Sequence, residues 1–142
     1  MRVTKYVLPV VAGAMSGIII MTLGEGGIHH IYPLPVGIDI HDTHALSVAI
    51  GQMPPGAFIL LLLSYAAGSF AAGAIATLVS GCTVAIPAFV VGCALTLAAL
   101  FNLITIQHPL WFCILNLLCY VPFAHLGYLA VRNRNIPHNK VV

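Results

Sequence analysis

From Thr43 to Val131 the chain contains no Lys, Arg, Asp or Glu. A stretch of that length without a charge has nothing with which to coat a water-facing surface, so the solvent of most of this protein is hydrocarbon. Of the 142 residues, 61% are hydrophobic and 6% charged, against about 25% charged in an ordinary soluble domain. The apolar residues fall into four runs, about 6–24, 55–79, 83–105 and 110–131, each near the roughly 20 residues with which a helix crosses about 30 Å of hydrocarbon. Helices satisfy their own backbone groups, which lipid cannot do for them. The expected fold is therefore all-α, a single four-helix membrane bundle.

Between the first two runs lies an extracytoplasmic cap, about 25–54, unlike the rest of the chain. It holds all three carboxylates, Glu25, Asp39 and Asp42, and four of the seven histidines, His29, His30, His41 and His44. Tyr32-Pro33-Leu34-Pro35 cannot continue a helix. Asp42 suits an N-cap, and behind it Ala45, Leu46, Ala49, Ile50 and Met53 recur at helical spacing until Pro54-Pro55. Ten residues cannot span, so this piece reads as a short amphipathic helix at the interface.

The first run follows Arg2 and Lys5 and resembles a signal peptide in outline. It is longer than the usual 7–15-residue apolar region, and no A-x-A-like cleavage site follows, so the expectation is an uncleaved span. All five basic residues lie at the chain ends, and none lies in the cap. The positive-inside rule then predicts a cell-membrane protein with both termini cytoplasmic. An even number of spans agrees.

Small residues mark the expected helix contacts. Gly13 and Gly17 form a G-x-x-x-G in the first run, and Gly68, Ala72 and Ala76 step by four along the second. Such stripes let backbones approach closely, within one chain or between copies. Asn102 and Asn116 fall in the outer halves of the last two runs, as an interhelical hydrogen-bonded pair or as the lining of a cavity beneath the cap. Cys82, Cys93, Cys113 and Cys119 show no C-x-x-C spacing and read as small hydrophobes.

The candidate chemistry is a metal site. Imidazole and carboxylate suit zinc or another borderline divalent ion. His41 and His44, with Asp39, lie within reach of one ion by spacing. His29, His30 and Glu25 close the first run, and His108 sits in the turn on the same outer side. No H-E-x-x-H or G-x-S-x-G accompanies them. A net charge of +2 without a basic patch excludes nucleic acid as a partner. The sequence supports a small non-enzymatic multi-pass protein, self-associating or an accessory subunit of a larger membrane complex, whose cap binds a divalent metal or a partner. Its alternatives are a small homo-oligomeric transporter or channel for an ion or small solute, and a metal-dependent membrane hydrolase. A transporter is expected to carry a strongly polar group inside a span, and Glu25 reads as lying at headgroup level instead.

Overall fold

A computed structural model describes residues 4–39, 41–81 and 84–135. The chain forms α1 (Thr4–Ile31), α2 (Thr43–Gly51), α3 (Pro55–Ser80), α4 (Ile86–Thr105) and α5 (Leu110–Val131), followed by a 3₁₀ turn, Arg132–Asn135. Four of these, α1, α3, α4 and α5, are long and apolar enough to cross a membrane. The all-α, four-span expectation holds. Cys82, and the tail beyond Asn135 with His138 and Lys140, lie outside the described residues.

Many small residues are buried in the bundle, beside a few large ones such as Phe58 and Phe112, and most large apolar side chains face outward. Ala57, Ala72, Ala76, Ala88 and Ala124 are fully buried, whereas Leu23, Leu63, Phe101 and Leu118 are each more than half exposed. In water this arrangement would be backwards. In lipid the tails are as apolar as leucine, so helices associate through close packing and hydrogen bonds rather than by hiding large side chains.

Helix α3 is the hub, touching the other three spans. On one side it meets α1 through the two stripes read from the sequence. A Cβ added to Gly13 would lie 2.5 Å from the Ala72 carbonyl oxygen, and one added to Gly17 would lie 2.9 Å from Ala72 Cβ. The small-residue stripe is thus a contact within the chain. On the other side α3 meets α5, where a Cβ on Gly73 would overlap the Ala124 backbone and one on Gly127 the Phe70 carbonyl. The buried Ser69 hydroxyl ties this seam by donating to the Tyr120 carbonyl oxygen at 2.6 Å. Helix α4 packs on α5 and closes the ring beside α1, where packing is loosest.

One boundary differs from expectation in a way that matters. The first helix does not stop at Gly24 but runs on to Ile31, and Tyr32 N–H still donates to the Ile28 carbonyl at 2.8 Å. Gly-Glu-Gly-Gly is a poor helical sequence in water. Here Ile28 is buried, and the helix ends only where Pro33 removes the next donor. Helix α2 forms as expected: the Asp42 carboxylate accepts from His44 N–H at 2.9 Å and Ala45 N–H at 3.2 Å.

Candidate functional site

Extending α1 carries Glu25 into the bundle. It lies six residues before the end of α1, about 9 Å at 1.5 Å per residue. Its partner is Tyr65, ten residues and about 15 Å inside α3, whose hydroxyl donates to Glu25 Oε1 at 2.7 Å. The Tyr65 ring stacks on Tyr120 of α5, centroids 6.2 Å apart. Asn116 precedes Tyr120 by one turn on the same face of α5, and its amide interacts with the Tyr120 hydroxyl. Three helices thereby bring a carboxylate, two phenols and an amide to one level of the bundle.

Two cavities meet at these groups. The outer one, about 260 Å³, is lined by Glu25, His29, Tyr65, Asn102 and His108, and is roofed by Leu46 and Ile50 of α2 and by Met53 just after it. The inner one, about 300 Å³, is lined by Thr22, Glu25, Tyr65, Asn102, Asn116 and Tyr120 among apolar residues of α1 and α4. Glu25, Tyr65 and Asn102 belong to both, so they form the neck between cap and bundle interior. Thr22, Ala98 and Asn102 on the inner rim are exposed, which opens that cavity sideways between α1 and α4.

Asn116 is the least satisfied group in the site. It is 4% exposed, and its Oδ1 is buried without a hydrogen-bond partner. Asn102 is not its partner. The two asparagines line one cavity, which settles the alternatives left by their positions in favour of the lining. Leaving a buried acceptor unpaired costs about 1–3 kcal/mol.

The histidine-rich segment is arranged differently from its crowding in sequence. Among the described residues, no three His, Cys, Asp or Glu side chains stand close enough to share an ion. His29 and His30 are exposed on the last turn of α1. The Asp39 carboxylate accepts from His41 N–H at 2.9 Å, and Asp42 caps α2. His41 and His44 are exposed. His108 turns inward, its Nδ1 2.7 Å from the Ile106 carbonyl oxygen and its ring on Phe112, centroids 5.3 Å apart. Burial holds its imidazole below the ordinary value, against the opposing pull of the Ile106 carbonyl. The cap's carboxylates are thus engaged in local turns and with Tyr65.

The sequence alone singles out Glu25, Asn102, Asn116 and His108, but not Tyr65 or Tyr120, which look like ordinary aromatic residues of apolar helices. In comparisons with known proteins, no family model, no curated protein and no solved structure matches this chain.

Proposed function

We propose that this multi-pass membrane protein binds a small polar solute in the cleft between its cap and its bundle, as the binding step of a small transporter. The reading prefers the transporter alternative to a self-associating or accessory protein on one observation. Asn116, whose Oδ1 is buried and unpartnered, borders a cavity that Glu25 also lines. Polar groups kept at such cost inside a membrane bundle mark solute or ion pathways. The cleft is blind below, because Met21, Val91, Leu95 and Tyr120 pack into the core at its floor. Passage across the bilayer therefore requires a second conformation or a second copy of the chain. Both termini lie in the cytoplasm and the cap outside, by the distribution of Lys and Arg.

Cysteine accessibility tests both parts. In a cysteine-free background, Val36→Cys and Asn116→Cys are expected to react with a small membrane-impermeant thiosulfonate added outside intact cells, and His138→Cys is not. Adding Ala98→Trp, which fills the inner cavity, should protect Asn116→Cys alone. An inert Asn116→Cys beside a reactive Val36→Cys would mean that the cleft admits nothing from water. Reaction at His138→Cys and not at Val36→Cys would invert the topology.

A further inference from the structure

The lining of the cleft restricts the chemistry of what it takes, given the solute-binding reading above. The inner cavity presents acceptors. Glu25 brings a carboxylate, and Asn116 brings an unpaired carbonyl-type oxygen. The hydrogen-bond donor that meets Glu25 is the neutral Tyr65 hydroxyl. No Lys, Arg or His lines this cavity, and Lys5 at the start of α1 and Arg132 after the end of α5 lie at the far end of the bundle from the cap. His29 and His108 line the outer cavity instead, so the Glu25 carboxylate is the one formally charged group in the inner lining, which favours a cation over an anion there.

Size and wall chemistry then separate the kinds of cation. A hard divalent ion is held by about six or more oxygen ligands, and this lining offers a single carboxylate, Glu25, beside the neutral Thr22, Asn102, Asn116, Tyr65 and Tyr120. A space of about 300 Å³ walled by Ile18, Leu95, Ala98 and Ala99 leaves room for carbon. The stacked Tyr65 and Tyr120 rings add electron-rich faces, which attract an ammonium group. Three N–H donors of a primary ammonium match the free acceptors. We infer that the cleft binds a small primary ammonium compound with an apolar body, its charge held by Glu25 and one N–H bonded to Asn116 Oδ1.

The test uses the whole protein in lipid nanodiscs and three probes of one shape: 2-phenylethylammonium, neutral 2-phenylethanol and anionic phenylacetate. The ammonium is expected to raise the melting temperature and bind measurably by calorimetry, with the other two at least about tenfold weaker, as loss of a charge-assisted contact implies. Glu25→Gln should weaken the ammonium by about tenfold or more while its own melting temperature shows that it folds. Asn116→Ala should weaken it by less, and Ala98→Trp should abolish it. Equal binding of alcohol and ammonium, or ammonium binding untouched by Glu25→Gln, would overturn the cation assignment. So would failure of the ammonium to bind while Asn116→Cys is reactive, the cleft reading itself surviving. Failure of all three probes together with an inert Asn116→Cys would remove both.

Discussion

The two faces of α1 meet their neighbours in opposite ways. Toward α3, Gly13, Gly17 and Gly24 bring backbone against Ala72, Gly68 and Ser64 with no room for a methyl group. Toward α4, Ile18 and Thr22 border a cavity of about 300 Å³. One helix is thus held rigidly along one edge and left unfilled along the other. Close packing of small residues fixes geometry without side-chain freedom to lose. A functional cleft needs that fixed frame, because its polar groups, drawn from α1, α3 and α5, must stay at one level.

Substitutions can break the comparison, beginning with the tight seams. Gly127→Leu drives a side chain into the Phe70 carbonyl and the Ala74 amide. Backbone cannot give way as a flexible side chain can, so the expected loss exceeds about 3 kcal/mol. Unfolding in mild detergent should show it, and a wild-type midpoint would mean that α3 and α5 are not in contact there. Ala72→Leu on the α1 side should lose about 1–3 kcal/mol. If the variant melts as wild type does, that stripe faces lipid.

The cleft side should respond in the other direction. Asn116→Leu, similar in volume, removes an unpaired acceptor and is expected to be neutral or to stabilise by about 1–2 kcal/mol. A marked loss instead would show that the amide's interaction with the Tyr120 hydroxyl outweighs its unpaired oxygen. The cap is expected to behave independently of both faces. Asp42→Ala removes the bonds to His44 and Ala45 N–H and should cost about 1 kcal/mol. Hydrogen exchange should localise that loss to α2, with the four spans unchanged.

The smallest effect concerns His108. Its folded-state value lies below the ordinary 6.5, so as pH falls the unfolded chain takes up the proton first. The contribution of the neutral imidazole is whole above about pH 6.5 and declines below it. Comparing melting temperatures of wild type and His108→Gln between neutral and mildly acidic pH isolates it, and parallel curves would show that His108 does not contribute.

How much of this was legible beforehand follows from what patterning encodes. Run lengths and uncharged composition fix the number of spans, because hydrocarbon thickness sets helix length. The Asp42 cap is equally local, and the sequence shows it. The stripes at Gly13, Gly17 and at Gly68, Ala72, Ala76 are visible too, although not that each is the other's partner. What periodicity cannot encode is the level at which two helices meet. Glu25 and Tyr65 are forty positions apart, and their pairing depends on where α1 stops. The first uncharged run ends at Gly24 because Glu25 follows it, and the end of an apolar run does not mark the end of the helix that carries it. The spacing of the histidines is limited as a guide for the complementary reason. His29 and His41 are near in sequence, but the end of α1 and the proline-rich Tyr32–Pro35 stretch lie between them.

The unequal lengths of the spans bear on the charge of Glu25. At 28 residues α1 is about 42 Å long, and at 20 residues α4 is about 30 Å. A bilayer matched to the shorter helix leaves about 12 Å of the longer one, whose two ends are polar, to be taken up by tilt or by protrusion. His29 and His30 at the cap end of α1 call for water, which favours protrusion there. Glu25, about 9 Å from that end, then lies near the hydrocarbon boundary on the inner side of its helix. Water can reach it through the cap while lipid surrounds the bundle below, so a few ångströms of membrane thickness govern how strongly its charge is felt.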